Sequence, residues 1–386
     1  MGSFLHSILL VLALVLTSTG RAGPPTGQSL PPSPHTALPP STGFRVDTVT
    51  SGLEVPWNIV FAPDGRMFIT ERPGRLRIVE NGVLNPRPVQ GIVGSISEGE
   101  IGLMSIALHP DFAANRLLYL SHGYQTPDKS LFVRVSRYRE LNGTLSDHQV
   151  ILEGVPAKHL HAGCKLLFGV DRMLYVTTGE GGTSTSAQNR ESLLGKVLRL
   201  DGDGKVPPDN PFLKQAGARP EIFSYGHRNG QGLALQPGTN LLFEAEHGPS
   251  DWDAPGGGDE VNVLRAGANY GWNTIHHRQT RDGMEAPVLE WTPATAPGGI
   301  TFCDGSMFPE WKGDLFTACL TGECLIRTRL NGTSEAGEER LLDHQFGRLR
   351  DVAQGPDGAL YIATSNADGA GDKRPDGDCI LRLVRK

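Results

Sequence analysis

The residues best able to do chemistry form three groups. Glu221 to Trp272 reads EIFSYGHRNGQGLALQPGTNLLFEAEHGPSDWDAPGGGDEVNVLRAGANYGW. Within it, His227-Arg228-Asn229 precedes the apolar run Leu233-Ala234-Leu235, and Glu246-His247-Gly248-Pro249 follows Leu241-Leu242-Phe243. A guanidinium, an amide and imidazoles thus stand beside a Gly-Pro break, where backbone carbonyls are free. That combination suits an anionic ligand together with a hard, oxygen-seeking cation. In the second group, Arg348-Leu349-Arg350, strand alternation would put both guanidinium groups on one face. The third, His159-Leu160-His161, has the same one-face spacing but brings no identifiable third metal ligand.

Groups so far apart in sequence need a scaffold that gathers them. The two apolar runs of the first group flank the turn Gln236-Pro237-Gly238-Thr239-Asn240, which is a hairpin signal. Similar units recur along the chain: FAPDGRMFITE at 61–71, ALHPDFAANRLLYLSHG at 107–123 and LFGVDRMLYVTTGE at 167–180. ALQPGTNLLFEAEHG at 234–248, SMFPEWKGDLFTACL at 306–320 and AQGPDGALYIATSN at 353–366 complete the set. Each reads as a short strand, a Pro/Asp/Gly turn and a second strand. Six such units predict an all-β, six-bladed propeller, whose inner strand ends converge on one mouth of a central channel. No long stretch carries the helical periodicity that an α/β-barrel would need. Phe44–Val49 and Ile380–Val384 both read as strands and are expected to meet where the ring closes, which makes 44–386 one domain.

Composition bounds the partners. The chain has 386 residues, with 49 Gly and 28 Pro, and is long enough for a large core. Its net charge of −6 is spread without a basic block, which argues against nucleic acid as a partner. Ile8 to Leu16 is an unbroken apolar run, shorter than the roughly 20 residues a membrane span requires. With Gly20-Arg21-Ala22 behind it, residues 1–22 read as a cleaved secretory signal that leaves no stable membrane insertion. The expected location is periplasmic or secreted. Residues 23–43 are Pro/Ser/Gly-rich and are expected to be a disordered or PPII-like spacer. The five cysteines lack zinc-type spacing, and Cys319 and Cys324 could bridge across a hairpin. Asn142-Gly-Thr and Asn331-Gly-Thr would accept glycans only in a eukaryotic secretory pathway.

YGHRNGQGLA, EHGP, GGGDEVN and GANYGW, in that order, closely resemble the soluble quinoprotein sugar dehydrogenases of the glucose/sorbosone dehydrogenase family. The resemblance implies a six-bladed propeller that uses pyrroloquinoline quinone (PQQ) and Ca²⁺. It implies oxidation of an aldose at its anomeric hydroxyl to a lactone, with electrons leaving to an external acceptor. His161, in HLHAGCKLLFG, is similar to the family's catalytic histidine. Glu180, in TTGEGG, stands where the family usually has an Asp that orients this His. Arg228 and Asn229 match the pair that contacts the quinone oxygens, and Arg228 would also stabilise the developing oxyanion with Ca²⁺. Arg348 and Arg350 match the arginines paired with the cofactor carboxylates. The Gly248 and Pro249 carbonyls match the ligands of the catalytic Ca²⁺, and Glu260 and Tyr270 match a second calcium site.

Two positions depart from the family pattern. Thr321 stands where the family has a PQQ-contacting lysine, and Glu100, among the cofactor contacts, stands where it has a Gln. Both changes move the pocket toward negative charge, against a tri-anionic cofactor. They favour a competing reading, a propeller binding module without redox chemistry. The retained His161, Arg228, Asn229, Arg348 and Arg350 oppose it. A calcium-dependent lactonase or esterase on the same fold would need a ring of Asp, Asn and Glu that the sequence does not show.

Overall fold

The computed structural model describes residues 30–250, 253, 255–375 and 377–386; the expected signal segment lies outside them. The described chain forms six four-stranded antiparallel sheets and almost no helix, the single α-helix being Phe112–Asn115. Strand β1 (Phe44–Leu53) waits for the end of the chain. The first blade is β2 (Pro56–Phe61), β3 (Met67–Glu71), β4 (Arg75–Glu80) and β5 (Val83–Leu84). The second is β6 (Leu103–Leu108), β7 (Leu117–Gln125), β8 (Leu131–Leu141) and β9 (Thr144–Pro156). The third is β10 (Gly163–Phe168), β11 (Leu174–Thr178), β12 (Lys196–Leu200) and β13 (Ile222–Tyr225). The fourth is β14 (Gly230–Leu235), β15 (Leu242–Glu246), β16 (Asp259–Val263) and β17 (Leu289–Trp291). The fifth is β18 (Pro297–Phe302), β19 (Leu315–Cys319), β20 (Leu325–Asn331) and β21 (Ser334–Leu341). In the sixth, β22 (Leu349–Gln354), β23 (Leu360–Thr364) and β24 (Asp378–Arg385) are completed by β1, with Phe44 opposite Arg385. Strands β1 and β24 meet at the closure, as the sequence predicts. Pairing the first described strand with the last leaves no gap in the ring.

The core is divided among the seams between blades. Phe68 packs with Ile106 across the first seam, and Phe243 with Ile300 across the fourth. Ile69 packs with Ile380 at the closure. Strands β2, β6, β10, β14, β18 and β22 each touch the next and line the channel. A polar belt ties them together. Asp351 on β22 accepts from Asn58 Nδ2 and Ile59 N, both at 2.7 Å, and the Asn58 amide oxygen accepts from Ser105 Oγ at 2.7 Å. Gly299 on β18 is required here, because a Cβ would stand 1.6 Å from Asp351 Oδ1.

Two expectations need correction. The Pro-rich segment, over its described part, lies along the outer edges of the fourth and fifth blades rather than as a free spacer. Ser33 N donates to Thr292 O at 2.9 Å, and Leu38 N to Glu338 O at 2.8 Å. Prolines lack an N–H, so the few remaining donors decide where such a segment docks, and sheet edges offer free carbonyls. Cys319 and Cys324 face each other at the end of a hairpin, Cys319 N donating to Cys324 O at 3.0 Å, but both are free thiols.

Candidate active site at the channel mouth

The loops that enter the inner strands carry the site. His161 lies between β9 and β10, two residues before Gly163, with φ +53°. That left-handed conformation is costly for a side chain bearing a Cβ and needs fixed partners. They are present. The His161 backbone N–H donates to Glu100 Oε2 at 2.7 Å, and its ring Nδ1 meets Glu180 Oε1 in a very short contact. His161 and Glu180 are both buried, at 5% and 2% exposure. A carboxylate on Nδ1 leaves Nε2 as the nitrogen able to take a proton. Glu180 N donates to Arg228 O at 2.8 Å, so the third and fourth blades are bound together beneath this pair.

Arg228 and Asn229 fill the entry to β14. The Arg228 guanidinium is buried and donates to Asp253 Oδ2 at 2.6 Å, Ser250 Oγ at 3.0 Å and His247 O at 3.1 Å. Asn229 Oδ1 accepts from Gly163 N at 3.1 Å and Gln231 Nε2 at 2.9 Å, while its Nδ2 has no partner. Beside them a cavity of about 150 Å³ is lined by Trp57, Arg72, Glu100, Gln231, Arg348 and Arg350, among others. Arg348 precedes β22 and Arg350 lies on it, and strand alternation turns both into this cavity. Arg350 stands over the Trp57 ring at 4.0 Å, donates to Gln231 Oε1 at 2.5 Å, and keeps Nε without a partner. Burial lowers its pKa to about 10, which still leaves it charged. Arg348 Nε is held by Asp368 at 2.8 Å.

A second, very small cavity adjoins, lined by Arg228, Gly248, Pro249, Glu260 and Tyr270, and His247 lines both. Gly248 N is fixed by Asp259 Oδ1 at 2.9 Å. The Pro249 carbonyl accepts from Gly257 N at 3.0 Å, so only its second lone pair is open. The Tyr270 hydroxyl donates to Val263 O at 2.7 Å, which leaves only its main chain for a cation. Burial, reinforced by Glu246, raises the Glu260 pKa well above the usual carboxylate range. Burial and the nearby Arg350, Arg228 and His161 push that of His247 well down, so His247 is neutral.

The candidate residues therefore gather at one mouth: Glu100, Arg348 and Arg350 line the larger cavity, Arg228, Gly248, Pro249, Glu260 and Tyr270 the smaller, and His161, Glu180 and Asn229 pack behind the lining through Glu100 and Gly163. His159 does not join them: it is exposed and faces Glu98 at 3.6 Å. Thr321 is exposed, though its neighbour Leu320 lines the larger cavity. Trp57, Arg72, Gln231, Asp253 and Asp368 are parts of the site that sequence reasoning missed. Gln231, on β14, and Asp253, in the loop after β15, lie inside the motif-bearing stretch, but nothing in their spacing tells that they point inward.

A six-bladed propeller with arginines and a His–carboxylate pair at its channel mouth has the architecture of a propeller-type dehydrogenase. The chain belongs to the glucose/sorbosone dehydrogenase family, whose profile matches residues 53–382. It is 35% identical to the aldose sugar dehydrogenase YliI of Escherichia coli K12 over 84% of this chain and 91% of that one. It is 30% identical to quinoprotein glucose dehydrogenase B of Acinetobacter calcoaceticus, over 61% of this chain and 53% of that one. Its fold is similar to that of the PQQ-bound aldose sugar dehydrogenase of Streptomyces coelicolor, with TM-score 0.79 at 33% identity, covering 90% of this chain and 100% of the other.

Proposed function

We propose that this protein oxidises aldoses at the anomeric hydroxyl to lactones, with PQQ and Ca²⁺ as cofactors and an external electron acceptor. The observation that carries this reading is the buried His161–Glu180 pair beside a cavity lined by Arg350, whose Nε has no protein partner, with the equally unpartnered Asn229 Nδ2 next to the lining residues Gly163 and Gln231. Orphaned buried donors are costly unless an acceptor fills the space. An anionic, oxygen-rich planar ligand fits that need, with Arg72, Arg348 and Arg350 to meet carboxylates and the Trp57 face beside them. When bound, PQQ supplies a two-electron ortho-quinone acceptor.

The chain's own residues do the rest. Glu180 fixes the His161 ring so that Nε2 takes the proton of the sugar hydroxyl. Glu100 fixes its backbone. Arg228 and Asn229 present donors where negative charge develops, and Arg228 must exchange its Asp253 contact to do so. The Gly248 and Pro249 carbonyls would hold the catalytic Ca²⁺, with Glu260 and the Tyr270 main chain as ligands of a second ion. Among the described residues no helix is long and apolar enough to cross a membrane. Periplasmic or secreted placement rests on the leader alone.

The test is reconstitution of the protein with PQQ and Ca²⁺, followed by a dye-acceptor assay with an aldose panel. Saturable PQQ binding with calcium-dependent turnover is expected. Absence of PQQ binding would leave a propeller binding module as the reading.

A further inference from the structure

His227, Glu244 and Glu246 form a fully buried cluster behind the active-site loops, next to Glu260 and Tyr270, with Glu246 also lining the smaller cavity. Their ligand atoms all lie within 4.8 Å of one another. Alternation along β15 puts both glutamates on one face, and His227 approaches from the loop after β13. Its Nδ1 is 3.6 Å from Glu244 Oε2 and 3.6 Å from Glu246 Oε1, and it has no hydrogen-bond partner. That separation is too long for a good N–H···O bond. It does suit two ligands on one ion, because tetrahedral bonds of about 2.0–2.2 Å place ligand atoms about 3.3–3.6 Å apart.

The surroundings are built in the same sense. His227 Nε2 meets Ser224 Oγ at 2.9 Å, which leaves Nδ1 to face the carboxylates. Metal-binding imidazoles are oriented through the second nitrogen in this way. The His227 ring stacks on Tyr270, with centroids 4.6 Å apart. Glu244 Oε1 has no partner, and Gly230 keeps its space open: a Cβ there would stand 2.2 Å from that oxygen. Glu246 Oε2 accepts from Arg228 N at 2.7 Å, while Asn262 Nδ2 is shared among Glu244, Glu246 and Glu260 at 3.2–3.5 Å. Against the effect of burial, Glu244 and Glu246 raise the His227 pKa to about 9, so the site calls for positive charge, and a metal ion would take the place of the imidazole proton.

We propose that His227, Glu244 and Glu246 bind a divalent transition-metal ion of the zinc class, distinct from the oxygen-ligated calcium sites. One nitrogen and two carboxylate ligands suit such an ion better than calcium. The proposal does not depend on PQQ chemistry.

The experiment uses the full chain, refolded from chelator-treated protein with and without Zn²⁺, and reads bound metal by mass spectrometry and the coordination shell by X-ray absorption at the zinc edge. One tightly held zinc per chain is expected, with one imidazole and otherwise oxygen ligands. Glu244→Gln and His227→Asn should each weaken zinc binding at least tenfold, while surface zinc on exposed histidines stays unchanged. The wild-type spectrum decides the matter even if a variant does not fold. A wild-type protein without tightly bound zinc, a shell without imidazole, or variants that retain wild-type affinity would overturn the proposal. So would displacement of zinc by equimolar calcium.

Discussion

Glu100 holds the backbone N–H of His161 at 2.7 Å while Glu180 holds its ring, so one imidazole is fixed by two carboxylates from different blades. This gives Glu100 a role beyond its charge. Glu100→Ala should release the left-handed His161 backbone and lower turnover about tenfold, as misplacement of a catalytic group does. Glu100→Gln should behave differently, because an amide oxygen still accepts the His161 N–H. Removing the negative charge near Arg350 should instead tighten PQQ several-fold. Affinity and turnover measured for both variants check this; equal loss of turnover in both would contradict it.

His161 and the arginine clamp should separate in kinetics. His161→Ala removes proton abstraction and is expected to lower turnover about 100- to 10,000-fold with PQQ still bound. Arg348→Ala removes a charge-assisted pair worth about 1.5–3 kcal/mol and should weaken PQQ roughly 10- to 150-fold. Turnover at saturating PQQ should suffer less. Full turnover in His161→Ala with both cofactors bound would remove His161 as the base.

The propeller was legible because each blade repeats a strand, a Pro/Asp/Gly turn and a strand, and that pattern is local. Strand alternation in Arg348-Leu349-Arg350 also carried through, since both side chains reach one cavity. What local patterns could not show was pairing between loops. Asp253 on Arg228 and Asp368 on Arg348 each join two separate loops of one blade, and the backbone of such loops has no period that tells where a side chain points. The pair Glu244 and Glu246 shows the same limit: its alternation is visible in FEAEHG, but only the fold brings His227 against it. The docking of residues 33–41 on two sheet edges was hidden for another reason, because Pro-rich composition describes stiffness and not what the free N–H groups will find.

Stability should fall in acid through His122. This side chain is fully buried on β7, with Nε2 3.0 Å from Ser136 Oγ, and burial lowers its pKa to about 4. A base with a depressed folded pKa is neutral in both states above about pH 6.5, and imposes no cost there. As pH falls from 6.5 toward 4, the unfolded chain takes up a proton that the folded one resists, so stability declines by up to about 3 kcal/mol. His122→Gln keeps a hydrogen-bonding group without the titration. Urea unfolding at pH 7.5, 5.5 and 4.5 should show a shallower acid decline for the variant than for the wild type; parallel curves would assign the acid loss elsewhere.

Lys165 on β10 and Asp351 on β22 form an ion pair at 2.9 Å between the third and sixth blades, across the channel beneath the candidate site. Both are buried, and Asp351 also anchors the polar belt through Asn58 and Ile59. Burial lowers the Lys165 pKa, and Asp351 opposes that shift. Removing one partner leaves the other charge buried without a counter-ion, which typically costs about 3–5 kcal/mol. Lys165→Met should therefore be strongly destabilising, with Asp351 left among donors too few to replace the ammonium. Asp351→Asn should also be destabilising, because it leaves the Lys165 ammonium buried without a counter-ion even though the amide oxygen still accepts from Asn58 and Ile59. The double variant Lys165→Met/Asp351→Asn should recover part of the Lys165→Met loss, since no uncompensated carboxylate remains. Urea midpoints of the four proteins form the double-mutant cycle, and strictly additive losses would show that the two charges do not support one another across the channel.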